Sequence, residues 1–177
     1  MNLNDYIKVV NHYPKQGISF KDITPILQHP EALRYVIDEL TNFAKEVGAN
    51  VVVGPEARGF LFGAPVAFNA NMGFIPVRKP NKLPRETISY TYQLEYGTDT
   101  LCMHVDGIKK GDKVVIIDDL VALGGTLDAI IALVEQLGGE VVGIGCVVAL
   151  TGLPGITKFR NKFAFKALLE LSDEVEE

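Results

Sequence analysis

The sequence predicts an α/β fold, a largely parallel central sheet flanked by helices. Strand-like and helix-like segments alternate through the middle of the chain. Val114–Ile117 is apolar at four consecutive positions, as in a strand covered on both faces. The 177 residues suffice for one sizeable core, and no obvious linker divides them. One domain spanning residues 1–177 follows.

Each element has its own signal. Leu33, Val36, Ile37, Leu40, Phe43, Ala44 and Val47 recur at helical spacing after Pro30, and Gly48 ends the run. A buried strand is expected at Asn50–Gly54, a helix from near Gly59 and a strand at Phe74–Arg78. Residues 80–91, PNKLPRETISYT, hold two prolines and no apolar period. They predict a loop long enough to suggest function, within a flexible region reaching residue 97. Two short strands, Tyr92–Tyr96 and Thr100–His104, flank Gly97. Then come a strand at Lys113–Asp118, a helix at Thr126–Leu137, and strands at Glu140–Leu150 and Phe163–Leu169.

Composition excludes several function classes. The formal charge of −5 does not favour nucleic-acid phosphates. MNLNDY lacks the basic start of a signal peptide, and the apolar stretch Val141–Leu150 is too short to span a bilayer. Cys102 and Cys146 sit in apolar runs and read as reduced core thiols. His12, His29 and His104 show no metal spacing. A cytoplasmic protein is expected.

The chemistry concentrates in VVIIDDLVALGGT, residues 114–126. Asp118 and Asp119 fall at the carboxyl end of a strand, where open α/β sheets bind ligands. Gly124-Gly125 lets backbone approach a ligand, and free N–H groups at the following helix start favour an anion. Thr126 can cap that helix and offer its hydroxyl to the same anion. Paired carboxylates accept from a vicinal diol, and the cradle takes a phosphate. A sugar 5-phosphate satisfies both. A tight turn with a solvated Asp pair is the plain structural alternative, but strand, Asp pair, Gly-Gly-Thr and helix together outweigh it. No Lys follows the glycines as in a Walker loop, and the Rossmann spacing is absent.

Arg58, within GPEARG, sits at a helix start where the macrodipole disfavours a cation unless an anion joins it. Arg78, Lys79, Lys82 and Arg85 cluster in and before the long loop. They read either as a solvated face or as a grip on diphosphate. Glu86 and Glu95 are both placed to handle a proton, and the spacing does not choose between them.

The signature, together with YPKQGISFKDITPIL at 13–27, VVGPEARGFLFGAPVA at 52–67, PVRKPNKLPRETISY at 76–90 and LEYGTDTL at 94–101, resembles the adenine phosphoribosyltransferases among the type I phosphoribosyltransferases. The resemblance covers about residues 6–150. It implies a type I fold with a small N-terminal hood, residues 1–30, that folds over the base. It implies transfer of phosphoribosyl from phosphoribosyl diphosphate to adenine, giving AMP and diphosphate in purine salvage. Asp118 and Asp119 would hold the ribose hydroxyls, and Ala122, Leu123, Gly124, Gly125 and Thr126 the 5-phosphate. Ala57, Arg58, Arg78, Lys79, Lys82 and Tyr96 would hold diphosphate, and Glu95 would act as general acid/base with Tyr96 gating the loop. Ser19 and Lys21 would read the purine edge through backbone, with Phe20 and Leu150 on its two faces. The resemblance further implies a cis peptide at Glu56–Ala57, Mg²⁺ entering with phosphoribosyl diphosphate rather than on protein ligands, and a homodimer.

Two departures stand out. The family usually has Thr where this chain has Leu123, and often Glu where it has Ala149. Losing the hydroxyl should weaken phosphate binding by ~1–3 kcal/mol, since the backbone N–H remains. Leu123 also gives a foothold to a non-catalytic sensor of the nucleotide precursor. A 6-oxopurine such as xanthine is the third possibility.

Overall fold

The structure, a computed structural model, describes residues 1–94 and 97–175. A 3₁₀ turn (Leu3–Tyr6) precedes β1 (Lys8–Asn11) and β2 (Ser19–Asp22), then α1 (Thr24–Gln28) and α2 (Pro30–Glu46). Next come β3 (Val51–Pro55), α3 (Arg58–Ala70), β4 (Gly73–Val77), β5 (Thr87–Gln93) and β6 (Thr98–His104). The chain continues through β7 (Lys113–Val121), α4 (Gly125–Gln136), β8 (Glu140–Thr151), α5 (Pro154–Lys162) and β9 (Ala164–Ser172).

Five strands form the central sheet in the order β4-β3-β7-β8-β9, and all neighbours are parallel. From β3 the chain winds to β4 on one side, while β7, β8 and β9 wind to the other. The switch point lies between β3 and β7, so their carboxyl ends open a crevice there. β7 shows why its apolar run is unbroken. Val114 and Ile116 enter one core cluster with α4 and α5, whereas Val115 and Ile117 enter the other with α2 and α3. All four are fully buried.

Two antiparallel ribbons complete the chain, β1 with β2 and β5 with β6. The first lies within residues 1–30, the N-terminal segment that the resemblance implies is a hood. The second corrects the loop expected at 80–91. TISYTYQ, rich in Thr, Tyr and Ile, pairs along seven residues with β6. Pro80 and Pro84 break only the stretch before it. The strand expected at Tyr92–Tyr96 is thus the end of β5, which stops at Gln93. β7 also runs three residues past Asp118, because Leu120 and Val121 keep pairing with β8. Both cysteines are free and buried, as their apolar surroundings predict. Among the described residues, no helix is long and apolar enough to cross a membrane.

Candidate active site

The crevice at the switch point gathers residues from three elements. β7 delivers Asp118 and Asp119, both buried. The Asp119 backbone N–H donates to Asp118 Oδ1 at 2.8 Å. α3 begins against them: a Cβ added at Gly59 would stand 3.0 Å from Asp118 Oδ1 and 2.9 Å from Pro55 Cδ. Glycine is therefore what lets the helix start abut the carboxylate. Burial, then the negative charge of Asp119, pushes the Asp118 carboxyl well above its ordinary value.

Arg58, first residue of α3, places Nε 2.9 Å from Asp119 Oδ2. That approach lies off the hydrogen-bond direction, so Oδ2 has no hydrogen-bond donor among the described residues. The same guanidinium stands over the Phe20 ring, 5.5 Å from its centroid. Phe20 in turn meets Tyr13 edge-on at 5.2 Å. A hollow of about 370 Å³ opens there between Val10, Tyr13, Phe20 and Arg58. Arg58 thus joins the acidic pair to the N-terminal ribbon. Ser19 and Lys21 are buried in that ribbon, with Lys21 Nζ donating to Ser19 Oγ at 2.8 Å. Leu150, at the end of β8, lies in the core cluster on the α2 and α3 side.

Ala122, Leu123, Gly124, Gly125 and Thr126 line a cleft of about 190 Å³ with Asp118 and Tyr92. The expectation that Thr126 caps α4 is corrected: the cap is Gly124, at φ +91°, and no side chain caps the helix. The first-turn N–H groups therefore have no intrahelical acceptor and face the loop, as an anion cradle requires. Leu123 is 60% exposed.

α5, which the sequence reading did not anticipate, backs this cradle. A Cβ at Gly124 would meet Phe159 Cε2 at 2.4 Å, and one at Gly155 would meet the Leu123 carbonyl oxygen at 2.4 Å. Phe159 is fully buried. The signal was present in Ile156, Phe159 and Phe163, spaced as one helix face.

Three of the loop cations, Arg78, Lys79 and Arg85, are held by carboxylates. Arg78 Nε donates to Glu56 Oε1 at 3.2 Å, and the Lys79 backbone N–H donates to the same oxygen at 2.7 Å. Lys79 Nζ pairs with Asp99, and Arg85 with Asp106. The Lys82 side chain forms no ion pair among the described residues, and its carbonyl accepts from Arg78 Nη1 at 3.4 Å. Glu56, Asp99 and Tyr92 were not singled out in the sequence. The Glu56–Ala57 peptide is cis, as the resemblance implied. Glu95 and Tyr96 lie outside the described residues.

Comparisons with known proteins place the chain in a family. The model of the phosphoribosyl transferase domain matches residues 19–170. An adenine phosphoribosyltransferase of Clostridium botulinum is 56% identical over 161 residues, covering 91% of this chain and 94% of the relative. The crystal structure of adenine phosphoribosyltransferase from Thermoanaerobacter pseudethanolicus superposes with a TM-score of 0.91 at 46% identity, covering 96% of this chain and 98% of that one. The Saccharomyces cerevisiae enzyme, solved with an imino-altritol bisphosphate and adenine, matches with a TM-score of 0.87 at 36% identity, covering 94% and 96%. This chain belongs to the phosphoribosyltransferase family, among its adenine phosphoribosyltransferases.

Proposed function

We propose that this enzyme converts adenine and phosphoribosyl diphosphate to AMP and diphosphate, the salvage reaction its relatives are named for. The observation that carries the reading is the junction at the switch point. A buried acidic pair, an uncapped helix start and an arginine on an aromatic ring stand within one crevice.

The ribose 5-phosphate seats on Ala122–Thr126, held by first-turn N–H groups and the Thr126 hydroxyl. Asp118 and Asp119 accept from the ribose hydroxyls and fix C1 for in-line attack. Their negative charge also favours the cationic sugar of the transition state. Adenine lies on Phe20, with Leu150 opposite and backbone near Ser19 and Lys21 at its edge. Attack by the base nitrogen on C1 breaks the bond to diphosphate, and Glu95 takes up the N–H proton. Ala57, Arg58, Arg78, Lys79 and Lys82, with Tyr96, receive the leaving group.

Among the described residues no cluster of three or more His, Cys, Asp or Glu could hold a metal. The adjacent buried carboxylates of Asp118 and Asp119, one with an oxygen that accepts no hydrogen bond, would instead suit Mg²⁺ that enters with the substrate. When bound, it supplies neutralising charge to the departing diphosphate. A cytoplasmic location suits this soluble-substrate chemistry and belongs to the same proposal.

The test is an assay of purified protein with phosphoribosyl diphosphate, Mg²⁺ and each purine base in turn. AMP from adenine, with at most traces from 6-oxopurines, is expected. Binding of phosphoribosyl diphosphate without turnover on any base would establish a sensor instead.

Leu123→Thr restores a hydroxyl at the cradle. Because Leu123 is exposed, the change should leave stability within about 0.5 kcal/mol. It should lower KM for phosphoribosyl diphosphate about fivefold or more, from one added charge-assisted hydrogen bond. An unchanged KM in steady-state kinetics would show that the missing hydroxyl is compensated elsewhere.

A homodimer is part of the proposal, and α3 offers the face for it. Leu61 and Phe68 stand on one side of this helix, 44% and 86% exposed, with exposed Ala64 between them. An apolar stripe of this kind is characteristic of an association surface. Phe68→Asp should shift the protein from dimer to monomer mass in analytical ultracentrifugation, raising the dimer Kd by at least about tenfold. A monomeric wild-type protein, or a variant that stays dimeric, would move the interface elsewhere or abolish it.

A further inference from the structure

Two polar residues of the β5–β6 ribbon, Asp99 and Tyr92, have no part in the transfer chemistry described above. Asp99, beside the ribbon's turn, is ion-paired with Lys79 Nζ through Oδ2. The same oxygen accepts from the Tyr92 hydroxyl at 3.2 Å, and Oδ1 accepts from the Thr100 N–H at 2.8 Å. The Tyr92 hydroxyl lies 3.5 Å from Thr126 Oγ1. Its ring packs so closely on the cradle that a Cβ at Gly125 would stand 2.9 Å away.

Burial pushes the Asp99 carboxyl up, but Lys79, the Thr100 N–H and Tyr92 outweigh it and hold the group below its ordinary range. It is ionised at neutral pH and can only accept. Tyr92 has one proton to donate, so with that proton on Asp99 its oxygen can only accept from Thr126. One carboxylate therefore engages an ammonium assigned to diphosphate and, through Tyr92, a hydroxyl assigned to the 5-phosphate.

We propose that Asp99 is a positioning residue that stands in for the substrate's anions, holding Lys79 until diphosphate displaces it. This rests on the transferase reading above. Lysine suits the exchange, being a point charge on a flexible stem that can swing between two acceptors. Its preference for Asp99 subtracts from diphosphate affinity, because a ligand must overcome the population of the competing state. The return of Lys79 to Asp99 helps product leave.

The test is calorimetric titration of the full chain with inorganic diphosphate and Mg²⁺. Asp99→Asn should bind about three- to fivefold tighter, the effect expected of an ion pair this exposed. Asp99→Glu, which keeps the charge, should stay near wild type. Lys79→Met should bind more weakly, and adding Asp99→Asn to it should change nothing further. Unchanged or weaker binding by Asp99→Asn overturns the inference, as does tightening that persists without Lys79. Failure of the wild-type chain to bind diphosphate at all removes the transferase reading, and this one with it.

Discussion

Asp118→Asn is expected to make the protein more stable at neutral and alkaline pH while removing most of its activity. Asp118 is buried against Asp119, and burial with that like charge raises its folded pKa. The folded state therefore binds more protons than the unfolded state between the ordinary carboxylate value and the raised one. Stability falls as pH rises through that window. The asparagine variant loses this dependence but keeps an oxygen able to accept from the Asp119 N–H. Its advantage should appear above the window and vanish near pH 4 in denaturant unfolding followed across pH. The catalytic cost comes from a neutral acceptor replacing a charged one at the ribose hydroxyls. At ~1.5–3 kcal/mol for such a hydrogen bond, kcat/KM should drop about 10- to 150-fold. A variant less stable at pH 8 would mean the acidic pair contributes to the fold, and full activity would remove Asp118 from ribose binding.

Gly124→Ala carries the second large effect, and here activity and stability fall together. The residue sits at φ +91°, where an L side chain is strained, and its Cβ would stand 2.4 Å from Phe159 Cε2. Phe159 is fully buried and cannot swing clear. Left-handed strain of ~1–2 kcal/mol and overpacking of ~1–3 kcal/mol together predict a loss of about 2–5 kcal/mol. For a chain of this size that corresponds to a Tm lower by about 4–20 °C. The cradle's N–H groups would shift with the loop, so KM for phosphoribosyl diphosphate should rise at least about tenfold. Calorimetry and steady-state kinetics on the same preparation check both. A stability change under about 1 kcal/mol would show that α5 yields, and that the cradle is not braced as the packing indicates.

Elements with a strong period were legible in the chain. α2, β3, β7 and α4 fall within a few residues of their expected positions because each buries a regular face. The errors have local causes. Residues 87–91 were expected as loop because Pro80 and Pro84 dominate the window, while the strand signal in TISYTYQ needs β6 opposite to be realised. α5 was missed because its buried large apolar residues, Ile156 and Phe159, make a signal shorter than most helices give. Thr126 was expected to cap α4, yet a left-handed Gly124 supplies the turn without any side chain.

By itself the sequence determined the fold class, the acidic pair before a glycine turn, and the family through five separated blocks. These properties are local, written in residue type and spacing. Only the tertiary structure decided that Arg58 bridges Asp119 and Phe20, that Phe159 and Gly155 brace the cradle, and that Asp99 engages both Lys79 and Tyr92. Each of these joins residues far apart in the chain, brought together where the winding of a parallel sheet reverses between β3 and β7. Periodicity reports which face a residue turns inward, whereas sheet order decides what it meets there.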